Sequence, residues 1–138
     1  MNHYSICSDP ANLGQYRLAV LLEPQSRGGS RAMHNLVVGQ RLYISYPRNK
    51  FLLREGETQV VLIAGGIGVT PLLSMAYRLR AQGRAFRLLF LGREEARLPF
   101  LAEMAALVGI EATADTMRRL QIMENRVLAI DARRRAKR

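Results

Sequence analysis

The 138-residue sequence has one cysteine, no tryptophan and two histidines, and each scarcity removes a class of chemistry. With Cys7 alone, there is no internal disulfide and no four-cysteine iron–sulfur or zinc site built from this chain. His3 and His34 stand without a serine, acid or metal-ligand pattern at informative spacing, so they read as surface or hydrogen-bonded histidines and no metal site is expected. The nine Phe and Tyr residues are not interleaved with basic ones as a base-stacking surface requires. No apolar run approaches the roughly 20 residues that span a bilayer. Met1-Asn2-His3-Tyr4 lacks the basic-then-apolar profile of a secretory signal. These absences predict a soluble cytoplasmic protein with no membrane partner.

Acidic residues are also few: 11 against 21 Lys and Arg, for a net charge of +10. That excess would suit a polyanion. Its placement argues otherwise, because residues 111–138 carry eight Lys or Arg against four acids, ending in Arg133-Arg134-Arg135-Ala136-Lys137-Arg138. Such a run reads as a solvated tail rather than a specific nucleic-acid site.

At 49% hydrophobic content the chain can bury a core, and three regions differ in rhythm. Residues 1–56 read as β-structure with tight turns. Tyr16, Leu18, Val20 and Leu22 alternate with wetter neighbours, and another strand is expected around 41–46. Between them, Ser26-Arg27-Gly28-Gly29-Ser30 is a turn from which Ser30 caps a short helix through Val38, closed by Gly39. Residues 57–109 read as strand, helix, strand, helix. Val60–Ala64 is a continuous apolar run, as in a strand covered on both faces. Leu72, Met75, Ala76 and Leu79 recur at helical spacing before Gly83, Phe86–Leu91 forms a second strand, and Pro99–Leu107 another helix. Short joins then imply parallel strands and right-handed crossovers. In residues 110–138, Met117, Leu120, Met123, Val127 and Ile130 predict one amphipathic helix.

The clearest chemical feature is Gly65-Gly66-Ile67-Gly68-Val69-Thr70-Pro71. A strand running through glycines into a helix presents bare amides and the positive end of a helix dipole, which suits a phosphate. Thr70 is expected as N-cap and Pro71 at the first helical position. Gly66 and Gly68 take the first two positions of a dinucleotide fingerprint, and Pro71 stands where its third small residue belongs. After the second strand, Arg93 could meet a phosphate and Glu94 or Glu95 a ribose hydroxyl. A βα turn that merely needs small residues is the alternative. Glu55 and Glu57, like Glu94 and Glu95, read as solvated loop charges, and Cys7 as packed rather than nucleophilic.

Tyr4-Ser5-Ile6-Cys7-Ser8-Asp9-Pro10, Arg27-Gly28-Gly29-Ser30, Pro47-Arg48-Asn49-Lys50-Phe51 and Ala64–Pro71 follow one another in an order and spacing that resembles the phthalate dioxygenase reductase-like proteins. That family, within the ferredoxin–NADP reductase superfamily, includes the reductase components of vanillate demethylase-type oxygenases, and the resemblance covers residues 2–109. It implies an antiparallel flavin-binding β-barrel followed by a parallel-sheet nicotinamide-binding domain, here partial in both cases. The implied activity is hydride transfer from NAD(P)H to a flavin, FMN rather than FAD. Electrons would pass on to an oxygenase component or ferredoxin-type acceptor. By the same resemblance Tyr4, Ser5 and Ile6 belong to the flavin motif, with Ser5 near the reactive edge. Gly28, Gly29 and Ser30 would hold the flavin phosphate. Gly65, Gly66, Gly68, Thr70 and Pro71 would form the nicotinamide dinucleotide site, with Thr70 near the nicotinamide, and Arg93 would contact that cofactor. Ser5 and Thr70 are thus the expected catalytic positions.

Three departures accompany the resemblance. Asn2 stands where the flavin motif has arginine, the family has further barrel before Tyr4, and the match stops after Gly109, before the family's Cys-Gly-Pro motif and cluster cysteines. The expectation is an interior reductase segment with a divergent tail. A non-catalytic remnant that binds a nucleotide weakly is the alternative.

Overall fold

The computed structural model describes residues 2–56, 59–92 and 98–108. Arg93, Glu94, Glu95, Glu57, Gly109 and the helix expected within 110–138 lie outside the described residues.

The second half folds as its rhythm predicts. The β-branched run makes β1 (Val60–Gly65), which pairs in parallel with β2 (Phe86–Leu91), Val60 opposite Phe86 and Gly65 opposite Leu91. The crossover is α2 (Val69–Ala81), reached through a single 3-10 turn at Gly66–Gly68. Val69, Leu72, Leu73, Ala76 and Leu79 fall on one stripe of α2 and are buried. Gly83, at φ 65°, ends the helix: its amide bonds the Arg80 carbonyl at 3.0 Å, and the Arg84 amide bonds that of Leu79 at 3.0 Å. Paired bonds of this kind satisfy carbonyls that the last turn would orphan, and the left-handed residue between them favours glycine. α3 (Leu101–Val108) packs on α2 and β2 and buries Met104.

One expectation about β1 needs correction. Leu62 and Ala64 are buried, but Val61 and Ile63 are 53% and 61% exposed. The helices cover one face of the two-stranded sheet, and nothing among the described residues covers the other. A continuous apolar run cannot distinguish these cases, because it lacks the polar alternation that marks a wet face.

The first half holds α1 (Gly29–His34) and extended chain. In place of the strands expected along 16–22 and 41–46, the described residues show an isolated antiparallel bridge between Ile6 and Leu18. Alternation supplies one face of a strand but not its ladder partner, and Tyr43, Ile44 and Tyr46 are exposed. The helix limits also shift. Gly28 is the N-cap, at φ 110° and with no side-chain cap, and the helix ends at Asn35 rather than Val38. Gly28's left-handed backbone starts the helix early, so Ser30 is already inside it and cannot serve as the cap. Its hydroxyl instead accepts from the Glu23 amide at 3.2 Å. Gly39, at φ 85°, belongs to a separate turn.

The core joins the two halves. Cys7 is fully buried in the same cluster as Ala64, Val69 and Leu73, with Ala19 and Leu53 packed against it. Leu73→Ala should therefore cost about 2–5 kcal/mol, read from denaturant unfolding. Ile63→Ala should cost under roughly 1 kcal/mol, since its side chain already faces water. Equal losses would contradict the one-sided burial of β1.

Candidate functional site

The turn between β1 and α2 is open. Among the described residues, a Cβ placed on Gly65, Gly66 or Gly68 would meet no heavy atom within 4 Å. Gly66, at φ 49°, uses the left-handed region. Gly65 (φ −123°) and Gly68 (φ −63°) do not, and any residue could adopt their backbone. Neither packing among the described residues nor dihedrals therefore explain glycine at 65 and 68, whereas a group approaching the backbone from outside would.

Thr70 and Pro71 sit two positions further into the helix than the sequence suggests. Gly68 is the N-cap of α2, because the 3-10 turn has already redirected the chain. Thr70 is 6% exposed, and its hydroxyl donates to the Ile67 carbonyl at 3.1 Å instead of accepting from the helix start. It braces the turn from inside. Pro71 occupies the first helical turn, where a missing amide hydrogen leaves no bond unmade. Val69's amide folds back onto the Gly66 carbonyl. The 3-10 turn also engages the Gly68 amide, and that of Ile67 leads the helical run, where no earlier turn provides an acceptor.

A second glycine turn lies at Gly28–Gly29. Gly28's amide donates to Ser26 Oγ at 3.1 Å and Arg31's to the same oxygen at 3.4 Å. The amides of Gly29 and Ser30 stand at the helix start without an acceptor among the described residues. Ser30 Oγ, accepting from Glu23, keeps its own proton to donate. The Asn2 side-chain amide lies against Gly29, where a Cβ would collide with it. The residue that replaces the family's arginine is thus placed at this turn.

Residues 2–8 span the two glycine turns. Asn2 meets Gly29 at one end, and Cys7 enters the core cluster that includes Val69 at the other. Between them Tyr4 and Ile6 are half-buried and Ser5 is exposed. His34 Nε2 lies 2.7 Å from the Val20 carbonyl oxygen, a hydrogen-bonded histidine as expected. Glu55 pairs with Arg78 at 2.5 Å and stays largely exposed, in keeping with the solvated charge expected.

Sequence reasoning missed one group entirely. Arg17 Nη2 donates to Glu103 Oε1 at 2.7 Å and to the Cys7 carbonyl at 2.9 Å, and Nη1 donates to Glu103 Oε2 at 3.3 Å. The Tyr77 hydroxyl donates to the same Glu103 Oε1. The Arg17 guanidinium lies 5.1 Å from the centroid of the Phe100 ring, a cation–π distance. Phe100 itself sits at φ 62°, a conformation that costs a non-glycine residue about 1 kcal/mol or more. No local pattern could announce a pair 86 residues apart. Alternation in fact places Arg17 on the wet side of its segment.

The electrostatics follow from these contacts. Burial pushes the Glu103 carboxyl up, but hydrogen bonds from Arg17 and Tyr77 and the charge of Arg17 outweigh it, leaving the group below its ordinary 4.5. The Tyr77 hydroxyl is raised above its ordinary 10.0, first by its hydrogen bond to Glu103 and then by burial. Arg17 is held still more firmly protonated by Glu103.

Against known proteins, no protein-family model matches the chain. It is 43% identical over 108 residues to the tert-butanol monooxygenase / tert-amyl alcohol desaturase reductase subunit of Aquincola tertiaricarbonis, covering 78% of this chain and 32% of that one. It is 45% identical over 102 residues to a vanillate O-demethylase oxidoreductase from a Pseudomonas strain, covering 73% and 32%. Among solved structures it resembles phthalate dioxygenase reductase, described as a modular structure for electron transfer from pyridine nucleotides to a two-iron, two-sulfur cluster. The TM-score there is 0.70 at 40% identity, over 74% of this chain and 32% of that one. The chain spans about a third of the length of these relatives.

The Glu103 group sets a pH window. A carboxylate whose folded value is depressed adds stability above its ordinary pKa of 4.5, and that stability is lost as pH falls through the depressed value. Tyr77, with its folded value raised, adds stability below 10.0 that disappears as pH rises through the raised value. Glu103→Gln should lower stability by about 1–2 kcal/mol near neutrality, discounted for the solvent that reaches Arg17. Thermal melts of both proteins should converge on acidification. A gap that persisted unchanged at about pH 2 would contradict this.

Proposed function

We propose that this chain belongs to the ferredoxin–NADP reductase-like family and forms the flavin- and nicotinamide-binding centre of an oxygenase reductase. It would take electrons from NAD(P)H and pass them through a flavin to an iron–sulfur or oxygenase partner. The domain limits proposed are 1–56 for a partial flavin-binding barrel, 57–109 for a partial nicotinamide-binding unit and 110–138 for a divergent basic tail.

The observation that carries this reading is the open turn at Gly65–Gly68, where two glycines have no internal reason to be glycine. Amides at the start of a helical run, backed by the dipole of the 13-residue α2, supply partial positive charge suited to a dinucleotide's diphosphate. Gly65 and Gly68 allow close approach, Thr70 holds the turn's shape through the Ile67 carbonyl, and Pro71 starts the helix. Arg93, outside the described residues, is proposed to reach the same cofactor.

For the flavin, the residues present also fit. Gly29 and Ser30 offer amides, and Ser30 a hydroxyl proton, to a terminal phosphate, with Arg27 and Arg31 bracketing them in sequence. That small anion-binding cradle favours FMN over FAD. Tyr4 and Ile6 would flank the ring system, with Ser5, exposed at the middle of the segment, at its reactive edge. A bound flavin supplies the conversion between two-electron and one-electron transfer. The protein's part is orientation, together with a hydrogen-bond donor from Ser5 where charge develops. Oxygenase or ferredoxin-type partners and a cytoplasmic location follow from the same reading.

Gly68→Val tests it directly. The substitution fits the backbone and meets nothing in the chain, so the melting temperature should move little, while affinity for NADH should fall about tenfold or more. Fluorescence titration measures this, and unchanged affinity would leave the open turn without its ligand. Asn2→Arg should tighten FMN binding by about tenfold, the effect of one added charge-assisted hydrogen bond. No gain in a flavin-quenching titration would remove the phosphate from the Gly28–Gly29 turn.

A further inference from the structure

The two proposed cofactor sites are carried by different elements, and one set of side chains fastens those elements together. Arg17 reaches Glu103 on α3 with both terminal nitrogens, and its Nη2 also takes the Cys7 carbonyl. Cys7 is two residues from Ser5. Its amide and thiol both donate to the Arg17 carbonyl, at 2.8 and 3.3 Å, and the Arg17 amide donates to Ser8 Oγ at 3.3 Å. The 7–8 segment is therefore locked to residue 17 through both backbone and side chain. On the other side, Glu103 Oε1 is shared with Tyr77, which belongs to α2, the helix that begins at the dinucleotide turn.

We propose that Arg17 is a positioning residue that holds the Tyr4–Ser5 segment against the Gly65–Thr70 turn through Glu103 and Tyr77, and so couples binding at the two cofactor sites. The inference rests on the function proposed above. A surface ion pair would not do this, because it leaves its partners free to turn in water. Here the guanidinium makes three bonds in one plane, stacks near Phe100 and has its Nε buried without an acceptor among the described residues. An arginine held with one nitrogen unsatisfied serves fixed geometry better than stability alone. Lysine offers a single charged point and cannot span Glu103 and Cys7 in one plane.

Coupling between sites is a measurable ratio, and it is reciprocal for equilibrium binding. In the full chain, the dissociation constant of FMN is measured by fluorescence with and without saturating ADP-ribose, which occupies a dinucleotide turn without transferring electrons. The wild type should show a change of about fivefold or more. Arg17→Met should bind each ligand alone within about threefold of wild type while the ratio falls toward one, and Arg17→Lys should not restore it. A ratio unchanged in Arg17→Met would overturn the proposal, since loss of packing alone would weaken both ligands together. The second measurement is amide hydrogen exchange without ligands. Arg17→Met should raise exchange at Cys7 by about tenfold or more while the Leu72–Leu79 amides stay protected. Unchanged exchange at Cys7 would also overturn it. Wild type that binds neither ligand would refute the cofactor reading instead, and the exchange comparison would still decide whether Arg17 fastens the segment.

Discussion

The structure depends on a single carboxylate. Glu103 accepts from Arg17 and Tyr77 at once, and through them α3, α2 and the Cys7–Arg17 segment become one body. A half-buried carboxylate is costly to desolvate, and burial alone would push it toward neutrality. Two strong donors reverse that, so the charge persists and draws its donors together. The apolar core beneath does the rest. Cys7, Val69 and Leu73 are fully buried where the halves meet, whereas the bare face of β1 and the 42–46 segment leave apolar side chains in water. Burial and electrostatics are thus concentrated at the same seam, between the two glycine turns.

The glycine turns differ in what they reveal. At Gly28 and Gly66 the backbone itself lies in the left-handed region, so the residue type follows from the fold. At Gly65 and Gly68 it does not, and the space around both is open. A residue type that neither conformation nor packing requires is evidence about something outside the chain. The chain is also 40–45% identical to reductases over about three quarters of its length.

The sequence disclosed the second half well because its signals are local. The Val60–Ala64 run, the stripe along α2 and the Gly83 stop each act within a few residues, and the parallel pairing of β1 with β2 follows from their short connection through a helix. The first half was less legible for a physical reason. Alternation along Tyr16–Leu22 describes a strand's faces but says nothing of its ladder partner, and the structure gives that segment only the bridge from Leu18 to Ile6. Capping was misplaced at both turns, at Ser30 and at Thr70, because glycine dihedrals and a 3-10 turn moved each helix start by a residue or more. Side-chain type marks a preference for a cap, while the backbone decides which residue takes it.

The sequence singled out the glycine turns and Tyr4–Ser5 as the candidate site, but no local signal marked the Arg17–Glu103 pair. Arg17 and Glu103 are separated by 86 residues, and each alone reads as an ordinary surface charge. Only the fold brings them together, and only then does the strained backbone of Phe100 acquire a meaning, since it sets a ring near the guanidinium. In the function proposed, two groups that exchange a hydride would have to meet within about 3–3.5 Å and in line. A tolerance so small cannot be left to two separately folded halves joined by exposed chain. Something must fix one to the other: among the described residues Glu103 ties the Cys7–Arg17 segment to α2 and α3, and the Glu55–Arg78 pair and the bond from Arg84 to the Arg54 carbonyl add two further ties.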